Sequence, residues 1–340
     1  MGKIFRRTAA ALLIVASLLM SAAVVHAEVK NYEGIGEYYM SDFETPNTAQ
    51  QRAKQRAEQN ACEKAGVFVK SFSRAKNFEL VDTIIETMTS GILKIVDVKF
   101  HREHFDNNTT LIRVTIQAQI DSNDVLKWLN KDSQERTTLE QQYAEIRKAY
   151  AEQEKQIAEL KRQLANVKTP QDEERITQQF AAEDKIFLAN QKVEEGWKLW
   201  DQKDFNGAAK LFDDAVQLNS NNAQAYFGRG TAYDDLGQYE RAIKDFDKAI
   251  QLNPNYDYAY NNRGGAYADL GQYERAIQDY DKAIQLNPNL AEAYNNRGGA
   301  YYCMKKYQQA LKDFDRALEI NPNYARAKNN REACLKAMGK

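Results

Sequence analysis

The sequence predicts an α-solenoid of helical hairpins in the carboxy-terminal part of the chain, preceded by a coiled-coil helix and a small α+β domain. Three observations predict it. Pro254, Pro288 and Pro322 stand thirty-four positions apart, each followed by Asn, so a unit the size of one helical hairpin recurs. Leu139, Ile146, Gln153, Leu160 and Val167 form one seven-residue column and Tyr143, Tyr150, Ile157 and Leu164 another. Ile112, Val114, Ile116, Ala118 and Ile120 alternate with Arg113, Thr115, Gln117 and Gln119, the pattern of a half-buried strand.

The chain begins with Lys3, Arg6 and Arg7, an apolar run to Val25, and Val25-His26-Ala27 before Glu28. That order predicts a secretory signal over residues 1–27, cleaved between Ala27 and Glu28, and an exported protein. An anchor kept uncleaved is the alternative. No later segment is apolar enough to span a bilayer. With a net charge of -1 over 340 residues, the chain has no global electrostatic reason to seek nucleic acid.

Residues 28–130 mix strand and helix patterns. Ala49, Ala53, Ala57, Ala61 and Ala65 recur every four residues, a narrow stripe that predicts a helix lying flat on a sheet and ending at Gly66. Val96, Val98 and Phe100 suggest the partner of the 112–120 strand, joined to it through an Asp106-Asn107-Asn108 turn. Gly34 and Gly36, Arg52-Ala53, Ala65-Gly66-Val67 and Ser90-Gly91-Ile92 resemble motifs of the amino-terminal domain of the flagellar assembly protein T family and related small envelope lipoproteins. That resemblance implies a bacterial envelope address and no activity.

The two seven-residue columns predict a coiled coil over residues 131–168, with Gln153 a polar seam residue that favours one register. The functional reading is homo-oligomerisation; a single long helix lying against its own domain is the alternative. Thr169-Pro170 starts the next helix as cap and first position, and residues 169–188 read as a linker helix. Helical repeats after a coiled coil are similar in layout to the cell division coordinator of the Tol-Pal envelope system.

Four units follow over residues 189–324, starting at Ala189, Ala223, Asp257 and Ala291, with a capping helix over 325–340. Gly230, Gly264 and Gly298 share a column with Gly196, and Tyr233, Tyr267 and Tyr301 share another, as expected where two antiparallel helices cross closely and a ring fills the adjacent hole. Gly237 and Gly271 supply the left-handed turn between helices, and each Asn-Pro ends the second helix. These units resemble tetratricopeptide repeats, so the fold class becomes a solenoid of about four such repeats plus a capping helix. Arg229, Arg263 and Arg297 each occur with an Asp sixteen positions later, Asp245, Asp279 and Asp313, which predicts a bidentate pair inside each hairpin.

Catalytic, cofactor and metal sites are not expected: there is no phosphate loop or nucleophile elbow, and His101 and His104 fall on opposite faces of a strand. Cys303 and Cys334 sit on first helices of neighbouring units, where a disulfide and two packing thiols are both compatible with the spacing. The candidate site is the concave side of the repeats. Asn261, Asn262, Asn295, Asn296 and Asn330 give a ladder of amides able to bracket an extended peptide backbone. The resemblance implies that role most directly for Asn262, Asn296 and Asn330. Tyr258, Tyr302, Asp234, Asp235 and Asp269 complete the list, with Arg326 and Lys336 making the far end basic. A positively charged or neutral segment therefore fits better than an acidic tail. The sequence reads as a periplasmic or cell-envelope scaffold that binds a protein or peptide partner and is not an enzyme. The alternative is a structural component of an envelope machine, such as the flagellar base, with the repeats as spacer.

Overall fold

Gly34 and Gly36 explain how the amino-terminal domain is built. A Cβ on Gly34 would lie 2.0 Å from the Ala57 carbonyl oxygen, and one on Gly36 2.0 Å from that of Ala53. Only bare backbone lets helix α1 (Pro46–Ala75) rest directly on strand β1 (Val29–Met40). The computed structural model describes residues 28–41, 44–75, 82–104, 110–131 and 133–339. The signal-like segment 1–27 and the Asp106-Asn107-Asn108 turn lie outside them.

Strands β1, β2 (Lys94–His104) and β3 (Thr110–Asp121) form an antiparallel sheet in the order β1-β3-β2. Gly34, Gly36 and Tyr38 stand opposite Ile116, Val114 and Ile112, so their side chains share the face that α1 covers. The alanine stripe is fully buried there. Helix α1 does not end at Gly66, as the sequence suggested. The buried face continues through Ala65, Val69 and Ser73, which meet α2 (Asp82–Ile92) and α3 (Ser122–Leu129). That continued burial outweighs the roughly 1 kcal/mol that one glycine costs a helix.

Helix α4 (Ser133–Leu164) and α5 (Pro170–Asp201) form an antiparallel hairpin. Thr169 caps α5, accepting from the Asp172 amide. The heptad columns of α4 are buried inside this one chain. Leu139, Tyr143, Ile146 and Tyr150 join a core with Phe187, Trp197, Phe227 and Tyr256, while Ile157 and Leu160 meet Ile176 and Phe180. Gln153 Nε2 donates to the Glu183 carbonyl at 2.8 Å. The expected self-association seam is thus corrected to an intramolecular one, because an apolar stripe is satisfied equally well by a helix of its own chain. A buried ionic knot ties this hairpin to the first domain: Arg52 bonds Glu44 and Tyr38 and lies 3.3 Å from Asp184, and Lys161 Nζ lies 3.3 Å from Glu44.

The repeats run on as α6 (Phe205–Leu218), α7 (Ala223–Asp235), α8 (Tyr239–Leu252), α9 (Asp257–Asp269), α10 (Tyr273–Leu286), α11 (Ala291–Cys303), α12 (Tyr307–Ile320) and α13 (Ala325–Ala337). The linker helix and the first helix of unit one are a single continuous helix, α5. Gly237 and Gly271 sit at φ 71° and 74°, and Lys203 and Lys305 adopt φ 65° and 60° in the corresponding turns. The ring facing each crossing glycine comes from the second helix: Phe246, Tyr280 and Phe314 approach Gly230, Gly264 and Gly298. Tyr233 and Tyr267 instead stack under Arg241 and Arg275.

Candidate functional site

The first helix of each repeat faces a trough, and five asparagines along it are wired together. Asn330 Nδ2 donates to Asn295 Oδ1 at 2.9 Å, Asn295 to Asn296 at 3.2 Å, Asn296 to Asn261 at 3.2 Å, and Asn261 to Asn262 at 3.2 Å. Asn261 and Asn295 are 1% and 2% exposed, so they are the buried nodes that hold Asn262, Asn296 and Asn330 at the surface of the trough. All donors point one way. Such a chain polarises along its length, and each amide keeps a second N–H and a second lone pair for another group.

The same trough collects the acidic residues. Asp234, Asp235 and Asp269 line one cavity of about 610 Å³ with the five asparagines, floored by Gly265, Gly299 and Ala300. Trp200 Nε1 donates to Asp235 Oδ2 at 2.6 Å. Burial first, and then the neighbouring carboxylates of Asp235 and Asp269, push Asp234 up to about 7. Its Oδ1 is buried without a hydrogen-bond partner among the described residues.

Two candidates fall outside this cavity. Tyr258 is 8% exposed and packs toward α4, lining a smaller space beside Thr137 and Leu290. Tyr302 stacks on Tyr307 with centroids 5.5 Å apart. At the far end Arg326 lines the cavity, whereas Lys336 is an exposed side chain 3.3 Å from Glu332. Trp197 is fully buried among Trp200, Phe212 and Phe227 as a packing residue.

One wall was not foreseen. Helix α4 lies over the amino-terminal side of the trough, where the Tyr256 hydroxyl is 3.2 Å from Gln142 Oε1 and 3.1 Å from Glu145 Oε2, and Gln224 Nε2 donates to Glu145 at 2.8 Å. Thr138 of α4 lines the remaining cavity. The chain therefore fills part of its own trough and leaves the amide ladder open. Periodicity marked the apolar face of α4 and held no signal for what that face covers.

Each repeat arginine does more than close its own hairpin. Arg229 Nε and Nη2 donate to Asp245 at 2.8 and 2.7 Å, while Nη1 donates to Asp213 of the preceding unit at 2.5 Å. Arg263 and Arg297 repeat this with Asp279 plus Asp247 and Asp313 plus Asp281. The second carboxylate column stands sixteen positions before each arginine, and the same thirty-four-residue register contains it.

Away from the trough, His101 Nε2 lies 3.3 Å from Glu103 and His104 Nδ1 lies 2.9 Å from Thr110. No group of three or more metal-ligating side chains occurs among the described residues. Cys62, Cys303 and Cys334 are free thiols. No helix among the described residues is long and apolar enough to cross a membrane.

Residues 223–256 and 291–324 match a family model described as tetratricopeptide repeat, residues 246–278 match a second of the same description, and residues 264–305 match one described as TPR repeat. Among solved structures, the first TPR of Spaghetti (RPAP3) bound to the HSP90 peptide SRMEEVD is 30% identical over 36% of this chain and 97% of its own, with a TM-score of 0.35. MamA is 25% identical over 45% and 83%, with a TM-score of 0.40. YrrB, described as a TPR protein with an unusual peptide-binding site, is 21% identical over 52% and 86%, with a TM-score of 0.39. No curated protein matches the chain.

Proposed function

The carboxy-terminal region of this chain belongs to the tetratricopeptide repeat family, and from that premise we propose that the trough binds an extended polypeptide segment carrying a basic side chain. The observation that carries this reading is the one-way amide chain lining one cavity with three carboxylates. Amides at a regular spacing take the donors and acceptors of a peptide main chain whatever its side chains. Asp234, Asp235 and Asp269 then select a Lys or Arg, since a cation offsets the burial and the carboxylate repulsion that together hold Asp234 up to about 7. Buried nodes fix the amides before the ligand arrives, so less order is lost on binding. The chain acts by binding and performs no catalytic step.

We place this activity in the bacterial envelope, supported by Lys3, Arg6, Arg7, the apolar run and the Val25-His26-Ala27 sequence before Glu28. Protein recovered from cells with a mass lacking residues 1–27 supports that address; an intact amino terminus argues against cleavage. Helix α4 lying in the trough favours a second reading, in which the repeats are a braced spacer within an envelope assembly.

Fluorescence anisotropy with labelled extended peptides separates the two. Saturable binding of peptides with an Arg-Lys pair, weakened about tenfold by Asn262→Ala with Asn296→Ala, supports the trough. Equal binding of peptides bearing Glu-Asp instead, or no saturable binding at all, favours the spacer.

A further inference from the structure

The sheet of the first domain has two outer edges, β1 and β2, and the protein treats them differently. Along β1, Lys64 Nζ donates to the Glu33 carbonyl at 2.7 Å and the Ile35 amide donates to Asn60 Oδ1 at 3.3 Å. Arg56 Nη1 donates to the Glu37 carbonyl at 2.7 Å, and Lys161 Nζ to that of Tyr39 at 2.7 Å. Glu33, Ile35, Glu37 and Tyr39 are alternate residues, the set whose main-chain groups point away from β3. Arg56, Asn60 and Lys64 stand four residues apart on one face of α1, so that helix closes the β1 edge against any further strand.

Strand β2 has no such cover. Among the described residues no side chain bonds its main chain, and α1 packs chiefly on β1 and β3. Val96 and Phe100 are left 55% and 47% exposed. An edge of eleven residues left bare in this way is a template for another strand.

The residues of β2 say which strand it takes. Paired antiparallel with a second copy of itself about Val98, it sets Asp97 opposite Lys99 twice, once on each side of the two-fold axis, and Phe100 opposite the bulged Val96. Asp97 and Lys99 stand beside Gln117 and Thr115, on the face that α1 leaves open, and within the strand they make only an exposed contact of 3.7 Å. Registers centred on Asp97 or on Lys99 oppose like charges. One centred on His101 pairs Lys99 with Glu103, which Arg113 already holds at 3.0 Å.

We propose that β2 is an interface between two copies of this chain, joined antiparallel about Val98 into one continuous sheet with three strands from each copy. The closed β1 edges end that sheet on both sides, so assembly stops at the dimer. It uses neither the α4 seam, which is internal, nor the trough.

Sedimentation equilibrium on the chain as isolated from cells tests this. The parent is expected to show a concentration-dependent equilibrium between monomer and dimer, with nothing larger. Asp97→Lys alone and Lys99→Asp alone each set like charges across the axis at both pairs, and each should weaken the dimer about tenfold or more. Both positions are exposed, so the variants should fold as the parent does. Mixed in equal amounts, the two variants should pair with each other at the parent's affinity, and a chain carrying both changes should dimerise like the parent. A monomeric parent overturns the proposal and leaves β2 to a strand of another protein. Growth beyond the dimer, a dimer indifferent to Asp97→Lys, or a mixture that stays monomeric overturns it as well.

Discussion

Asn296 Nδ2 donates to Asn261 Oδ1 at 3.2 Å, joining α11 to α9 through two amides on successive first helices. The two residues have different jobs. Asn261 is 1% exposed, accepts from Asn296 and donates to Asn262, so its removal strands two partners. Asn261→Ala is expected to lower stability by about 1–3 kcal/mol, and Asn262→Ala, at the end of the chain, by less than about 1. Urea denaturation of the two variants checks this; equal losses would mean that the ladder is no more than solvated helix surface.

Arg263 holds one carboxylate inside its hairpin and one outside it, and the two differ in burial. The Asp279 side chain is 9% exposed and takes two guanidinium hydrogen bonds; that of Asp247 is 52% exposed and takes one. Asp279→Ala leaves a half-buried guanidinium short of its main partner and should cost about 2–4 kcal/mol. Asp247→Ala should cost about 0–1 kcal/mol, and that small loss should shrink further in high salt. Thermal midpoints of the two variants with and without salt make the comparison.

Much of this architecture could be read from residue order alone, because each repeat satisfies itself locally. A turn needs a left-handed residue, a crossing needs a small one, and a period of thirty-four repeats both demands. The amides of the trough were legible for the same reason, as a column. What the columns could not convey was which surface an apolar stripe covers. Leu139, Tyr143, Ile146 and Tyr150 have the spacing of a seam between chains, yet they bury against Phe187 and the first repeats. Gly66 reads as a helix end because the four-residue alanine period stops at Ala65, while Val69 and Ser73 carry the buried face onward with larger side chains.

The irregular fourth unit offers a stabilising change. Lys305 adopts φ 60° at the position where Gly237 and Gly271 stand in the middle units. A side chain in that region costs about 1–2 kcal/mol, part of which glycine gives back as chain entropy. Lys305→Gly should therefore raise stability by about 0.5–1 kcal/mol, and Lys203→Gly likewise at the first turn. A lower melting temperature for Lys305→Gly would show that the Lys side chain contributes contacts worth more than the strain.

Contact between helix and sheet in the first domain leaves no tolerance. A methyl group on Gly36 would meet the Ala53 carbonyl oxygen at 2.0 Å, and the atom in the way is backbone, which cannot rotate aside. Gly36→Ala should force α1 off β1 and cost more than about 3 kcal/mol. Because α1 also carries Arg52 into the knot with Glu44 and Asp184, the α4–α5 hairpin should loosen with it. Hydrogen exchange is the measurement: protection lost in both α1 and α4, with α9 to α12 retained, is the expected outcome, and loss confined to α1 would sever that link.

Asp234 makes the trough sensitive to pH. Burial and two neighbouring carboxylates raise it from 3.8 to about 7 in the folded chain, whereas an unfolded chain ionises it near the lower value. Between these values the folded state holds a proton that the unfolded state has released, so stability falls as pH rises from about 4 to about 7 and stays reduced above. The full effect corresponds to at most about 4 kcal/mol. Asp234→Asn removes the penalty, so the variant should be more stable than the parent at pH 8 and equal to it near pH 3. A bound basic peptide should act in the opposite sense, since it favours the ionised carboxylate; its affinity should climb from pH 5 to pH 8 for the parent and climb less steeply for Asp234→Asn, where Asp269, itself raised by burial, still titrates. Denaturation and anisotropy across that range read the two slopes separately, and parallel curves for parent and variant in both would remove Asp234 from the binding site.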